Sequence, residues 1–351
     1  GPVRVDWLRS NEDAVDFLVE SSRQGACGVW VRNAVDDAIE AVQQIRARGV
    51  EADLLHARYA LCDRQAIEDR IRATFGKDGQ GRRDAAGHGR LLVATQVVES
   101  SLDLDFDVMV SDLAPIASLI QRAGRLWRHM DLRPRSDRPV DEPVLHVLAP
   151  DPEGDVGPSW LGDIMPSGRY VYSLPDLWRT ACVLSQAGFI RAPDGLRALI
   201  EAVHGDDAAP LPESLERADL RRQGEAYSQA GLAAQRLLNL EHGYRLEGRG
   251  KDEEVYPTRL GHPTFTLHLV RHTTHGLQPW AGGRPDAFSE VQVAKHRLDR
   301  LPPLTSPPGV DTYTKRWDTW KRDTVRVCLV DDDGSILPGL RYTEKEGLIF
   351  G

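Results

Sequence analysis

Three polar side chains, Gln121, Arg125 and Arg128, recur at the spacing of one helical face in residues 116–130. Positions i, i+4 and i+7 fall on the same side of a helix with about 3.6 residues per turn. Guanidinium groups donate bidentately to phosphate and stabilise the negative charge that spreads over a transferred γ-phosphate. Gly124 would let a nucleotide approach closely, and Gln121 could orient a water molecule. These residues indicate phosphoryl-transfer chemistry; the alternative is a solvated basic helix.

The elements that must position this face alternate between strands and helices. Apolar runs predict strands, amphipathic runs predict helices, and a Gly-, Arg- and Asp-rich stretch over residues 76–89 predicts a loop. The alternation predicts an α/β fold with a parallel sheet, flanking helices, and functional residues at the carboxyl ends of the strands. Thr95 and Asp103 follow one such end. The strands are predicted at residues 28–31, 52–55, 91–94, 108–110 and 144–148, and the helices at 34–48 and 64–75.

The second half of the chain is less regular. A loop rich in Pro, Gly and Asp precedes two helices, a polar linker and one long helix. The remainder predicts a small β-rich domain with an Asp333-Gly334 hairpin. The predicted domains are residues 1–208, a linker with a long helix at 209–250, and a C-terminal domain at 251–351. The helices are predicted at residues 174–186, 193–203 and 213–241, and the strands at 265–270 and 323–330.

Residues 93–103 read VATQVVESSLD, residues 112–115 read DLAP and residues 121–129 read QRAGRLWRH. Together they closely resemble motifs V and VI of the CRISPR-associated helicase-nuclease of type I systems, which the Cascade surveillance complex recruits to unwind and degrade DNA. The resemblance implies a second RecA-like helicase lobe, a linker helix and a small β-rich accessory domain like that of the I-E subtype. Further similarity covers the motif IV region, the next strand end and the start of the accessory domain, at residues 29–38, 55–59 and 258–261.

The resemblance implies a role for each matching residue. It implies catalytic roles for Gln121, Arg125 and Arg128, ATP contacts for Asp103 and Gly124, and DNA contacts for Asn33, Thr95, Gln96 and Arg122. Two of these roles have alternatives from the residues alone. Asn33 could cap the helix that follows it, and Asp103 could be an ordinary loop acid or a helix cap.

Sequence motifs that an ATP-driven motor needs are not found in these 351 residues. There is no GxxxxGK[ST] phosphate loop and no DExH box, and no His is followed by Asp as in the family's nuclease site. The resemblance therefore implies the C-terminal part of a longer enzyme, with the HD nuclease and the first RecA-like lobe upstream. Gly1-Pro2 is typical of a tag-cleavage remnant. ATP with Mg²⁺ would bind the complete enzyme, and we expect no bound cofactor and no ATPase activity in this chain alone.

The matching segments depart from the family's pattern at two positions. Ser100 stands where the family usually has Gln, and Trp127 where it usually has His. Neither position belongs to the predicted arginine face. An aromatic ring at position 127 could stack on a base or on the neighbouring lobe.

Composition restricts the class of protein. A length of 351 residues predicts two domains, and 41% hydrophobic residues are enough to form buried cores. No apolar run approaches the ~18 residues that span a membrane, so we expect a cytoplasmic protein with no membrane contact. The four cysteines are scattered without a CxxC pair, which is typical of small core residues in a reducing compartment.

The net charge of −9 opposes DNA binding unless cations are concentrated locally. Basic residues do cluster around the two motifs, which predicts a basic groove for a single strand. These residues are Arg82, Arg83, Arg90, Arg122, Arg125, Arg128, His129, Arg133, Arg135 and Arg138.

Two further clusters have functional and structural interpretations. Several histidines lie within residues 262–275, but no Cys or acid stands at ligand spacing, so we predict no metal site. Trp317 and Trp320 lie among Lys and Arg residues. They could contact single-stranded DNA or a partner, although core packing is the favoured interpretation.

These patterns support three hypotheses. In the first, the chain supplies the arginine face of the ATP site and part of the single-stranded DNA channel in the type I CRISPR helicase-nuclease. In the second, it is a docking module without motor function that binds Cascade or an inhibitor protein. In the third, it is a lobe of another superfamily-two helicase, because that whole superfamily shares the QxxGRxxR pattern.

Overall fold

The computed structural model describes residues 1–100, 102–217 and 264–351. Its largest element is a seven-stranded sheet in the order β3-β4-β2-β5-β6-β1-β7, and every neighbouring pair is parallel except β1 and β7. The strands are β1 (Val3–Leu8), β2 (Gly28–Val31), β3 (Ala52–Leu55), β4 (Leu91–Ala94), β5 (Val108–Asp112), β6 (Val144–Leu148) and β7 (Phe189–Ile190).

Helices connect the strands and pack against the sheet. Strands β2, β4 and β5 are buried along their whole length, as expected for a parallel sheet covered on both faces. The first helix begins at a side-chain cap, where the Ser10 hydroxyl accepts from the Asp13 N–H at 3.0 Å. The helices are α1 (Asn11–Arg23), α2 (Val35–Ala47), α3 (Leu61–Phe75), α4 (Val97–Ser100), α5 (Ile116–Ala123), α6 (Leu174–Ala187) and α7 (Leu196–His204), with short 3-10 helices at Arg135–Asp137 and Gly168–Tyr170.

The predicted α/β class with a mostly parallel sheet is confirmed. All five strands predicted for this part form, and α2, α3 and α6 match their predicted positions within a few residues. Strands β1 and β7 and helices α1 and α4 were not predicted from the sequence. Strand β1 pairs with both β6 and β7 and so extends the sheet by two strands.

The helix predicted over residues 116–130 is much shorter than expected. Helix α5 ends at Ala123, and Gly124 caps it. Leu126 then forms a parallel bridge with Phe106, and Trp127 has a φ of 50°. A right-handed helix cannot continue through a positive φ. The prediction that Gln121, Arg125 and Arg128 share one helical face is therefore wrong, because only Gln121 lies on the helix.

The C-terminal part contains two small sheets. One has the order β10-β8-β11, with β9 also paired to β8, and the other has the order β12-β13-β14. The strands are β8 (Thr264–Thr273), β9 (Gly276–Pro279), β10 (Glu290–Ala294), β11 (Val325–Leu329), β12 (Ser335–Leu337), β13 (Leu340–Thr343) and β14 (Gly347–Phe350). Short helices lie at Asp286–Ser289, Lys295–Leu298, Val310–Thr314 and Thr319–Thr324.

The Asp333-Gly334 turn forms, but it does not close a hairpin. Gly334 has a φ of 84°, and its N–H donates to the Asp331 carbonyl at 2.9 Å. The strands on either side, β11 and β12, belong to different sheets. The hairpin prediction is wrong because turn chemistry fixes the local bend, whereas the pairing partners are chosen by packing.

The C-terminal part packs against the end of β3 and the start of α3. The Asp63 carboxylate accepts hydrogen bonds from the Trp280 indole at 2.8 Å and the Tyr342 hydroxyl at 2.5 Å. The Leu348 N–H donates to the Arg58 carbonyl at 2.8 Å. Gly347 has a φ of 69°, and a Cβ on it would lie 2.5 Å from the Arg58 carbonyl oxygen, so the junction requires glycine.

Several predictions fall outside the described residues. The long helix predicted over residues 213–241 is described only for residues 213–217, which are helical. The segment at residues 258–261 lies wholly outside, as does His262. The boundaries at 208 and 250 remain predictions. Among the helices in the described parts of the chain, none is long and apolar enough to cross a membrane.

Candidate functional site

Polar residues follow the carboxyl ends of three adjacent strands. Arg32 and Asn33 follow β2, Thr95 follows β4, and Asp112 ends β5. All four are buried. Because β2 lies between β4 and β5, their side chains meet at one edge of the sheet, where buried polar groups need hydrogen-bond partners.

Arg32 and Asp112 form a buried ion pair at this edge. The Arg32 Nε lies 3.0 Å from Asp112 Oδ1, and the Asn33 N–H donates to Asp112 Oδ2 at 2.9 Å. Burial raises the pKa of the Asp112 carboxyl above its usual value, although the Arg32 charge acts against this rise. The pair fixes the direction in which the chain leaves β2.

Arg122 lies beneath the same edge, and its side chain has 0% exposure. Its Nε donates to Glu99 Oε1 at 2.7 Å, and its Nη1 donates to the Ser111 hydroxyl at 2.8 Å. A guanidinium enclosed in this way has no surface to offer a DNA strand. The predicted DNA contact of Arg122 is therefore not supported by this arrangement. We call Arg32, Asn33, Asp112 and Arg122 the buried arginine network.

The side chain of Asn33 does not cap helix α2. The capping residue is Ala34, and no side-chain hydrogen bond is made there. Instead, Asn33 Nδ2 donates to the Leu113 carbonyl at 2.8 Å, and Oδ1 accepts from Arg122 at 3.3 Å. The capping alternative is therefore wrong. Because Asn33 is only 3% exposed, a direct DNA contact is not supported either.

Thr95 and Gln96 start the loop after β4. Thr95 is 3% exposed, and its N–H donates to the Leu55 carbonyl at 3.1 Å. Gln96 is half-buried, and its Nε2 donates to the Asn33 carbonyl at 2.9 Å. Of the four residues predicted to contact DNA, Gln96 is the one with a partly accessible side chain.

Above the buried network lies a set of solvent-facing residues that we call the exposed rim: Asp103, Gly124, Arg125 and Arg128. Arg128 Nε donates to Asp103 Oδ1 at 2.5 Å, and Arg128 Nη1 donates to the Gly124 carbonyl at 3.4 Å. The Arg128 and Asp103 side chains are 42% and 53% exposed. Gln121 is exposed on the last turn of α5. The structure therefore brings together four of the five residues predicted to act on ATP.

The rim carries a charge balance that favours an ionised Asp103. Partial desolvation raises the pKa of this carboxyl, but the hydrogen bond from Arg128 and the nearby charges of His129 and Arg125 lower it more. The net pKa lies below the usual value of an aspartate. Asp103 thus stays negative, and it lies beside two guanidinium groups.

Glu99 connects the exposed rim to the buried network. Its carboxylate accepts from Arg122, while its main-chain carbonyl accepts from Arg125 Nη2 at 2.6 Å. Glu99 lies inside the VATQVVESSLD segment, yet its type and spacing gave it no role in the sequence analysis. Its contact with a buried arginine from another motif became evident only in three dimensions.

Besides Arg122, two arginines of the predicted basic groove pair with buried carboxylates. Arg133 and Arg138 bind the buried carboxylates of Asp105 and Asp107 at 2.8–3.1 Å. We call these four residues the Asp-Arg quartet. The prediction that Arg133 and Arg138 present positive charge to DNA is wrong for Arg138, whose side chain has 0% exposure. The alternation of Asp105 and Asp107 with apolar residues was the signal that could have revealed it.

Trp127 is buried beside the quartet and is not available for stacking on a base. It is 9% exposed, and its Nε1 donates to the Asp107 carbonyl at 3.2 Å. The Arg138 guanidinium carbon lies 5.0 Å from its ring centroid. Among the described residues, Trp127 is the one non-glycine residue with a positive φ.

Two members of the histidine and tryptophan clusters of the C-terminal part, His268 and Trp317, have structural roles. His268 is buried, its Nε2 lies 2.8 Å from the Tyr313 hydroxyl, and its ring meets Trp317 edge-on. Within the described ranges no group of His, Cys, Asp or Glu residues could hold a metal ion. Trp317 packs in the core, as favoured, but Trp320 is 65% exposed, so core packing is the wrong interpretation for Trp320.

The geometry limits the chemistry that the site can perform. Arg125 and Arg128 present partly free N–H donors to an anion, and Asp103 offers an acceptor for hydroxyl groups. Such a rim can bind a phosphorylated ligand and stabilise charge that develops on it.

Sequence comparison gives the same family for the chain. The model of the family described as CRISPR-associated nuclease/helicase Cas3, C-terminal, matches residues 24–131. The CRISPR-associated endonuclease/helicase Cas3 of Escherichia coli (strain K12) is 31% identical over 91% of this chain and 33% of its own length. The protein of the same name from Thermus thermophilus is 33% identical over 75% of this chain and 29% of its own length.

Solved structures match the whole chain. The crystal structure of T. fusca Cas3 has a TM-score of 0.77 at 27% identity and covers 100% of this chain and 43% of that one. A chain in the structure of a CRISPR RNA-guided surveillance complex, pre-nicking, has a TM-score of 0.68 at 26% identity and covers 99% of this chain and 44% of that one. The chain spans about a third of the length of the curated relatives. It belongs to the Cas3 family and corresponds to the C-terminal part of its members.

Proposed function

We propose that this chain forms the second RecA-like half of an ATP site in a CRISPR-associated helicase-nuclease. The observation that carries the proposal is the exposed rim. There, residues from two sequence motifs place Arg125 and Arg128 beside Asp103, at the carboxyl edge of a parallel sheet. Ligands of open α/β sheets bind at this edge. A second lobe carrying the phosphate loop would face the rim.

The rim residues have separate roles in this proposal. The guanidinium groups of Arg125 and Arg128 bind the γ-phosphate and stabilise the charge that develops as it is transferred. Asp103 accepts a hydrogen bond from the ribose, Gly124 leaves room for the nucleotide, and Gln121 orients water. The similarity to the crystal structures of T. fusca Cas3-ATP and Cas3-ADP, each at a TM-score of at least 0.74, supports nucleotide binding here. Mg²⁺ would be held by the other lobe.

The DNA path is proposed to run past the loop after β4. Thr95 and Gln96 begin this loop, and the Gln96 side chain is partly accessible. Asn33 and Arg122 would act indirectly by holding this loop in place. The Asn33 carbonyl accepts a hydrogen bond from Gln96, and Arg122 donates to Glu99. Single-stranded DNA is the proposed track. The match to a chain in the structure of a surveillance complex supports an interaction with Cascade.

The test is DNA-stimulated ATP hydrolysis by this chain, alone and mixed with the first RecA-like lobe. We expect activity only in the mixture and its loss in Arg125→Ala. Arg197→Ala is the matched control, because Arg197 is an 88% exposed arginine in a surface ion pair far from the rim in sequence. ATPase activity of this chain alone would contradict the half-site. No activity in the mixture, with tight binding to Cascade, would contradict the motor role and favour a docking module.

A further inference from the structure

Residues 125–128 carry both rim cations outside any helix, so another part of the chain must hold them in place. The Phe106 N–H donates to the Arg125 carbonyl at 3.0 Å, and the Trp127 N–H donates to the Phe106 carbonyl at 3.0 Å. Leu126, between them, forms the bridge with Phe106. Apart from hydrogen bonds to the preceding turn of α5, the backbone of residues 125–128, the rim segment, is therefore held by Phe106.

The Asp-Arg quartet fixes Phe106 from both sides. Asp105 and Asp107 flank it, and Arg138 donates to both carboxylates, at 3.1 Å and 3.0 Å. Asp107 Oδ2 also accepts from the Cys27 N–H at 2.9 Å, which ties the group to the start of β2. Two buried carboxylates and two guanidinium groups leave no net charge in this cluster.

Trp127 joins the rim segment directly to the quartet. Its indole N–H binds the Asp107 carbonyl, and its ring lies against Arg138. A bulky residue adopts a φ of 50° only where its surroundings determine the conformation, and such positions cluster at functional sites. The positive φ of Trp127 thus sets the direction of the backbone between Arg125 and Arg128.

We propose that Trp127 and the Asp-Arg quartet are positioning residues that hold the Arg125 and Arg128 guanidinium groups in the geometry needed for phosphoryl transfer. This inference rests on the proposed function. Donors that stabilise a transition state act through placement, and small displacements lower the rate of the chemical step more than they weaken substrate binding. A purely structural role would lower stability and leave the turnover of the folded enzyme unchanged.

The first experiment compares Trp127→Phe with Trp160→Phe in the complete enzyme, with the first RecA-like lobe present. Both tryptophans are buried, at 9% and 8% exposure, and each donates one indole hydrogen bond of 3.2 Å to an aspartate carbonyl. In each variant Phe keeps an aromatic six-membered ring but loses the indole N–H and the volume of the five-membered ring, so the Trp160 variant controls for the lost volume. We expect Trp127→Phe to lower the kcat of ATP hydrolysis by roughly 3- to 10-fold with less than about a 2-fold change in KM. Trp160→Phe should leave kcat within about 2-fold.

The second variant, Arg138→Lys, keeps the buried charge and removes the two-pronged donor. We expect at least about a 10-fold loss of kcat at a temperature where circular dichroism shows a folded protein. Equal kcat for Trp127→Phe and Trp160→Phe, with Arg138→Lys also folded and active, would overturn the positioning role. Arg125→Ala measured in parallel separates the two failures. If Arg125→Ala lowers kcat while these variants do not, only the positioning role fails; if it has no effect, the proposed function fails too.

Discussion

Arginine has one role in the buried arginine network and another on the exposed rim. Arg122 is 0% exposed and its donors are taken by a carboxylate, a hydroxyl, an amide oxygen and a carbonyl. Arg128 is 42% exposed and keeps donors facing solvent. An arginine whose donors are all satisfied internally stabilises the fold, whereas one with free donors can act on a ligand. The partners, and not the residue type, decide which role an arginine has.

The two regions are nevertheless mechanically joined. Glu99 binds Arg122 with its carboxylate and Arg125 with its main-chain carbonyl. A change in the buried network should therefore reach the rim, while a change on the rim should leave the network intact.

The largest expected effect is on stability, from Arg122→Met. The change leaves the carboxylate of Glu99 and the hydroxyl of Ser111 without their buried cation, which costs about 3–5 kcal/mol when one partner of a buried pair is removed. Urea unfolding of the chain measures the free energy of unfolding. A loss below about 1 kcal/mol would show that the network tolerates an apolar replacement and would remove the contrast with the rim.

Arg128→Ala should have the opposite profile. We expect kcat of the complete enzyme to fall roughly 100-fold, since a charge-stabilising donor is lost, with little change in the free energy of unfolding. Arg128→Lys should recover only part of the rate, because lysine lacks the planar fork. Steady-state ATPase assays and urea unfolding of the same preparations check both halves. A stability loss as large as that of Arg122→Met would contradict the division into rim and network.

A third prediction concerns a buried residue that has no charged partner. His56 is 0% exposed; its Nδ1 accepts from the Arg58 N–H at 3.0 Å and its Nε2 faces the Glu346 carbonyl at 2.9 Å. Burial lowers the pKa of His56 to about 3, so the folded state holds it neutral. The unfolded chain binds a proton near its ordinary pKa of about 6.5. Stability should therefore be independent of His56 above that pH and fall by about 1.4 kcal/mol per pH unit below it.

The measurement is urea unfolding between pH 7.5 and pH 4 for the native sequence and for His56→Gln, which keeps an N–H donor but does not titrate. His146, whose pKa burial lowers to about 4, contributes in the same direction and is present in both proteins. We expect a flatter pH dependence for His56→Gln. Identical slopes would contradict the prediction that the folded state holds His56 neutral.

The smallest expected effect on stability is that of Asp103→Asn. Its ion pair with Arg128 is half exposed, and pairs of this kind contribute less than about 1 kcal/mol. We expect a near-zero change in the free energy of unfolding, together with a raised KM for ATP in the complete enzyme. A change in kcat without a change in KM would place Asp103 in the chemical step and not in nucleotide binding.

The sequence was a good guide wherever a local pattern had a local cause. Apolar runs such as residues 28–31 and 91–94 became central strands because a strand buried on both faces must be apolar throughout. It was a poor guide where periodicity continued past a structural break. The apolar and basic spacing of residues 116–130 still looks helical, yet the chain leaves the helix after Ala123. The surface charge of Arg122 and Arg138 was also overestimated, because the acidic residues that bind them lie elsewhere in the chain.

By itself, the sequence determined the parallel sheet, the two motif segments and, through them, the Cas3 family. Each of these depends on residues close together in the chain. Only the tertiary structure decided which arginines are buried, that Glu99 joins the two regions, and that Phe106 and Trp127 clamp the rim. The contacts of Glu99 with the two arginines and of the Trp127 indole with Asp107 span 20 to 26 residues, and they depend on strand order, which no local pattern encodes. Burial then decides whether a charge supports the fold or faces a ligand.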